Sequence, residues 1–196
     1  MKRLFAALKI QPDAEFLKKY HKLKQDLQHE QIKWVEDHNI HITLKFFGET
    51  DDCKIPEISS VLKKRASATD YFVLQLAGLG IFGSSYAPKV IWAGINTFSE
   101  LSLFMKNVHD DLEIIGFKPD RQNLVPHLTL GRINFLRDKV IFSRSIDQIK
   151  TISSLPMQIR EMILYESILR REGPQYLALE KFPFIIKKNS PDYLAV

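Results

Sequence analysis

Two of the six histidines in this 196-residue chain open the same four-residue pattern, His41-Ile42-Thr43-Leu44 and His127-Leu128-Thr129-Leu130. Both stand in alternating apolar runs, "HITLKFFGE" and "HLTLGR", which read as strands. Side chains alternate along a strand, so His41, Thr43 and Lys45 share one face and Ile42, Leu44 and Phe46 the other. His127 and Thr129 share a face in the same way. Residues two apart lie about 7 Å apart at Cα, so a His and a Thr can reach two oxygens of one phosphate. Two such strands facing each other would surround it. A pair of imidazoles suits metal-free phosphodiester hydrolysis: a neutral one takes a proton from the attacking water, and a protonated one gives a proton to the departing oxygen. An ordinary pKa near 6.5 lets both forms coexist at neutral pH. The threonine hydroxyls would donate to the non-bridging oxygens as charge builds in the transition state. The competing reading is a structural histidine in each strand, or an internal duplication that preserves one structural hydrogen bond. His21, His29, His38 and His109 do not share the pattern and read as surface residues.

The elements that would position these residues follow from periodicity. "RLFAALKI" reads as a strand. Pro12 and Asp13 start a helix whose apolar face is Phe16, Leu17, Tyr20, Leu23 and Leu27. "NIHITLKFFGE" is a strand closed by Gly48, and a weaker helix spans Pro56 to Ser67. "YFVLQLAGL" and "KVIWAGI" come next as strands, separated by the loop "GIFGSSYAPK". Residues 98 to 115 repeat the helical pattern through Leu101, Phe104, Met105, Val108, Leu112 and Ile115 until Gly116 stops it. "VPHLTLGRI" is the next strand, and a helix lies near 135 to 150. "MQIREMILYESIL" and "QYLALEKF" alternate as strands around a turn at Gly173 and Pro174. The order β-α-β-α-β-β, then α-β-α-β-β, predicts an α+β chain. Residues 1–196 are expected to form a single domain of two pseudo-symmetric lobes, each contributing one H-x-T-x strand (41–44 and 127–130).

Composition bounds the rest. At 45% hydrophobic and 26% charged, the chain describes one globular unit. A net charge of +5 and a pI of about 9.2 favour an anionic partner such as nucleic acid or a phosphate ester. Cys53 is the single cysteine, which rules out an internal disulfide and fits a reducing compartment. The apolar stretch Leu4 to Leu8 is too short for a signal-peptide core, and nothing reaches transmembrane length, so a cytoplasmic protein is expected. Neither motif supplies a second histidine or a carboxylate at zinc-ligand spacing, so no metal is expected. Lys45 could help neutralise a phosphate. Trp92 and Phe5 could stack on a base or belong to the core. "KKYHK" at 18 to 22 and "LKKRA" at 62 to 66 read as solvated helix faces or as guides for a nucleic-acid backbone.

The paired motifs and their flanks together resemble a known family. The flanks are "RLFAAL", "WVEDHNIHITLKFFGE", "GLGIF", "PKVIWAGI", "VPHLTLGRI" and "LYESILRREGPQYLALEKFPF", in that order. They are similar to the bacterial and archaeal RNA 2′,3′-cyclic phosphodiesterases, also called 2′-5′ RNA ligases, of the 2H phosphoesterase superfamily. The resemblance implies a bilobal fold with two antiparallel-rich sheets around a central cleft and helices on the outside. It implies no cofactor, and hydrolysis of an RNA terminal 2′,3′-cyclic phosphate to a 2′-phosphomonoester, together with reversible 2′-5′ RNA ligation in the same site. His41 would be the proton donor and His127 the proton acceptor, with Thr43 and Thr129 on the phosphate. Arg132, at the family's arginine position, would add a charge-assisted contact. Alternation alone aims Arg132 at the opposite face from His127, and a bulge or strand end after Gly131 would reconcile this. The expected partner is an RNA or oligonucleotide with a 2′,3′-cyclic phosphate end, without a membrane or an obligatory protein partner, and the protein is expected to be a monomer. The alternative is a non-catalytic RNA or nucleotide-binding module that uses the same cleft.

Overall fold

A computed structural model describes residues 1–84, 86–96, 98–119, 126–170 and 173–185. The run Leu4 to Leu8 is buried from end to end because its strand, β1 (Lys2–Lys9), lies inside a sheet. Sheet one is antiparallel in the order β10-β9-β1-β3, with β3 at His41–Thr50, β9 at Glu161–Arg170 and β10 at Gly173–Pro183. Sheet two, also antiparallel, has the order β2-β7-β6-β5. Its strands are β2 (Gln31–Trp34), β5 (Leu76–Gly83), β6 (Pro88–Ile95) and β7 (Leu128–Phe135). Each sheet therefore takes strands from both halves of the chain. A third pairing, β4 (Phe72–Leu74) with β8 (Met157–Ile159), leads into β5 on one side and β9 on the other, and so ties the two large sheets together.

This small sheet accounts for two departures from the expected strands. "YFVLQLAGL" breaks at Gln75 and "MQIREMILYESIL" at Arg160, because each run must leave the small sheet to enter a large one. The Gln75 side chain holds its break, donating to the Ser154 carbonyl and accepting from Asn96. β2 is an added strand, at four residues too short to stand out by alternation. Gly80 to Gly83 belong to β5 rather than to the expected loop. Gly173 and Pro174 are the first residues of β10, while the connection at 171–172 lies outside the described residues. Val125, in the run "VPHLTLGRI", also lies outside them.

The helices sit close to where their spacing puts them: α1 (Ala14–Asp26), α2 (Ile55–Ala66), α3 (Phe98–Ile114) and α4 (Lys139–Gln148). Asp13 caps α1 by accepting from the Glu15 and Phe16 amides. Gly116, at φ +92°, ends α3, with the Phe117 amide returning to the Leu112 carbonyl. Their apolar faces join one continuous core with the strands. Phe16, Tyr20 and Leu23 of α1 are buried in it, as are Leu101, Phe104, Met105, Val108 and Leu112 of α3. No helix among the described residues is long and apolar enough to cross a membrane.

Candidate active site

His41 opens β3 at the edge of sheet one, and His127 immediately precedes β7 in sheet two. Their side chains, with those of Thr43 and Thr129, line one cleft of about 480 Å³ between the sheets. All four are half-buried, as groups that must meet a soluble substrate should be. Arg132 lines the same cleft and is exposed.

A matching irregularity in the two motif strands decides where the residues beyond each threonine point. Ala7 pairs with Thr43 and Ala6 with Lys45, so the β1–β3 register passes over Leu44. Trp92 pairs with Thr129 and Ile91 with Gly131, so the β6–β7 register passes over Leu130. Each strand thus carries a bulge at the last residue of its motif, and alternation restarts with the opposite sense beyond it. Arg132 turns into the cleft for this reason. The reconciling bulge lies before Gly131, one step earlier than the expected place. In β3 the same device turns Lys45 away: it is 4% exposed and donates from Nζ to the Lys118 carbonyl at 2.6 Å. The expectation that Lys45 shares the histidine face is corrected by the bulge, and Phe46 lines the cleft in its place.

Both bulges are fastened by buried polar side chains from helices. The Tyr20 hydroxyl of α1 lies 2.8 Å from the Leu130 carbonyl and 2.6 Å from that of Val35. Burial pushes its phenol up, with Asp37 and Glu36 adding to the effect, so it stays a donor. His109 of α3 meets the Leu44 carbonyl through Nε2 at 2.7 Å, and since a carbonyl only accepts, Nε2 carries the hydrogen. His109 is therefore a buried residue, 3% exposed, and not a surface one. His21, His29 and His38 are exposed as expected, His21 against Asp37 at 2.8 Å.

Aromatic rings hold each catalytic candidate from the side. Phe5 and Tyr176 lie 5.1 and 5.3 Å from the His41 ring, and Phe82 lies edge-on 4.8 Å from His127. Trp92 stacks on Phe82 at 5.0 Å, over Gly80, where an added Cβ would come within 2.1 Å of the indole. Phe5 and Trp92 thus brace the two histidines, and Phe5 also lines the cleft. His41 directs Nδ1 to the Asn39 carbonyl at 2.6 Å, which leaves Nε2 for the cleft. Burial, joined by the nearby Arg132 guanidinium, holds its pKa below the ordinary imidazole value, against the opposing effect of that hydrogen bond.

The cleft is electrostatically one-sided. Lys33 and Arg132 are directly paired across β2 and β7, like charges side by side, and Arg3 lies on the facing sheet. Among the described residues that line the cleft there is no Asp or Glu. An anion seated between the threonines relieves the Lys33–Arg132 repulsion, which makes phosphate the matching ligand chemistry. Among the described residues, no three His, Cys, Asp or Glu side chains gather as a metal-ligand set. Lys33, Arg3 and Tyr176 carry no motif of their own. Arg3 shares a face with Phe5 by simple alternation, but the pairing of Lys33 with Arg132 depends on strand contacts that no local pattern encodes.

Comparison with known proteins agrees with this geometry. Residues 10–92 match the family model "LigT like Phosphoesterase". An RNA 2′,3′-cyclic phosphodiesterase of Methanocaldococcus jannaschii is 31% identical over 180 residues, covering 92% of this chain and 99% of the relative. One from Methanothermobacter thermautotrophicus is 30% identical over 152 residues, covering 78% and 82%. The crystal structure of Escherichia coli LigT complexed with 3′-AMP superposes with a TM-score of 0.72 at 21% identity, over 93% of this chain and 98% of that one. A family model over the first histidine motif, and a relative 31% identical over 92% of this chain, establish that the chain belongs to the LigT-like phosphoesterase family.

Proposed function

We propose that this protein hydrolyses the 2′,3′-cyclic phosphate at an RNA end to a 2′-phosphomonoester, without a metal. The observation that carries the reading is the convergence of His41, Thr43, His127 and Thr129 on one carboxylate-free cleft. The relatives named RNA 2′,3′-cyclic phosphodiesterase support the same activity. In this mechanism neutral His127 takes a proton from water while the water oxygen bonds to phosphorus. The bond from phosphorus to the 3′ oxygen breaks, and that oxygen takes a proton from His41. The Thr43 and Thr129 hydroxyls donate to the non-bridging oxygens, and Arg132 adds a charge-assisted contact. The free site biases His41 toward the neutral form. A bound phosphate anion offsets the effect of the Arg132 guanidinium and favours the charged imidazole. With an RNA 5′-hydroxyl in place of water as the nucleophile, the same site would break the same bond to the 3′ oxygen and join the two ends through a 2′-5′ bond, a reaction with which hydrolysis competes because water is the abundant nucleophile.

The test is turnover of a short RNA ending in a 2′,3′-cyclic phosphate, in EDTA, by wild type, His41→Ala and His127→Ala. A 2′-phosphate made only by the wild type, with a bell-shaped pH profile, supports the two-histidine mechanism. RNA binding without turnover by the wild type would instead make the protein a binding module.

A further inference from the structure

The bulge at Leu44 does more than bury Lys45: it presents Phe46, 40% exposed, to the cleft. The Arg3 guanidinium carbon lies 5.0 Å above the Phe46 ring, a cation–π arrangement that holds the guanidinium plane in place. Arg3 precedes Phe5 on β1 by two residues, so both face the cleft, with Arg3 one strand repeat, about 7 Å, farther along. Phe5 lies against His41, as Tyr176 does. The Arg3–Phe46 pair therefore lies beyond the reacting centre, along a floor continuous with it.

Two features mark this pair as a site for an anion. Arg3 is half-buried and makes no ion pair among the described residues, although Glu49 stands directly across from it on β3. The positive charge in the cleft also exceeds what one phosphate needs. A cyclic phosphate diester carries a single negative charge, and Lys33 with Arg132 already stands beside Thr129 to meet it. Arg3 is a third full charge on the opposite sheet. Tyr176 lies between these charges: burial pushes its phenol up, while Arg132 and Arg3 both pull it down. An exposed ring, a stacked guanidinium and a positive groove in series are the elements by which proteins track a single-stranded nucleic-acid backbone.

We propose that Arg3 and Phe46 form a subsite for the nucleotide next to the cyclic-phosphate end. The Arg3 N–H groups hold the phosphodiester that links the last two nucleotides, and Phe46 orients Arg3 and offers its exposed edge to the neighbouring base. The preferred substrate is then an RNA chain of at least two nucleotides, rather than a nucleoside 2′,3′-cyclic phosphate. This rests on the cyclic phosphodiesterase reading above.

The experiment compares kcat/KM for a nucleoside 2′,3′-cyclic phosphate and for a dinucleotide ending in the same cyclic nucleotide, using wild type, Arg3→Gln and Phe46→Leu. A wild-type preference for the dinucleotide of about tenfold or more is expected from one charge-assisted contact. Both variants should lose most of that preference through a raised KM for the dinucleotide, with a much smaller change for the mononucleotide. Equal kcat/KM for the two substrates in the wild type, or variants that slow both in proportion, would overturn the subsite. A parallel binding measurement uses a dinucleotide and a mononucleotide ending in an ordinary 3′-phosphate, which need no turnover. Differential binding that Arg3→Gln abolishes, with no hydrolysis of either cyclic compound, would retain the subsite and overturn the hydrolase reading alone. Equal binding of the two probes would overturn the subsite alone.

Discussion

The Tyr20 hydroxyl lies 2.8 Å from the carbonyl oxygen of Leu130, 110 residues away, and so ties α1 to the bulge that separates Thr129 from Arg132. Its counterpart is His109 on the Leu44 carbonyl. Tyr20→Phe keeps the ring in the core and removes only the hydroxyl, leaving the Leu130 and Val35 carbonyls without that donor. A loss of about 1–3 kcal/mol in urea unfolding is expected, the cost of a buried group left short of a partner. Because the bulge aims Arg132, kcat/KM for a cyclic-phosphate substrate should fall as well. Full activity with unchanged stability would dismiss the tie as incidental.

Arg132 and His41 are coupled electrically across the cleft. Arg132→Ala removes one of the two causes that lower the His41 pKa, so the imidazole should titrate at a higher pH than in the wild type. NMR titration of the His41 ring protons reads this directly, and a shift in the other direction would refute the coupling. In the proposed mechanism His41 acts protonated, so wild-type kcat/KM should fall as pH rises through a free-state value below the ordinary 6.5. Stability changes with a definite sign. Between 6.5 and the depressed native value, falling pH protonates the unfolded imidazole but not the native one, so stability is lost across that window on acidification. Arg132→Ala should narrow the window.

Gly80 makes room for the Trp92 indole, and Trp92 with Phe82 supports the His127 ring. Gly80→Ala places a methyl group where it would come within 2.1 Å of that indole, so the ring must move. A cost of about 1–3 kcal/mol is expected from the overpacking, together with reduced turnover. Near-UV circular dichroism should register the displaced tryptophan. An unchanged tryptophan signal with normal turnover would contradict this account of the site.

The helices and the central strands were legible because each bears a local signature. Asp13 announces its cap, Gly116 its stop, and Leu4 to Leu8 their burial. β2 and the breaks at Gln75 and Arg160 were not legible, since they depend on which sheet a strand joins, and partners distant in sequence decide that. His109 misled for a related reason. A histidine on a helix looks solvated unless the carbonyl it meets, on a bulge 65 residues earlier, is known.

The sequence alone determined the candidate set: two copies of His-apolar-Thr-apolar each put a histidine and a threonine on one strand face, because strand alternation is a local rule. Only the tertiary structure decided which later residues join them. Lys45 leaves the cleft, while Phe46 and Arg132 enter it, because a bulge is set by register against a neighbouring strand and by the Tyr20 and His109 side chains that hold it. Those contacts span tens of residues, so no window of the chain contains them.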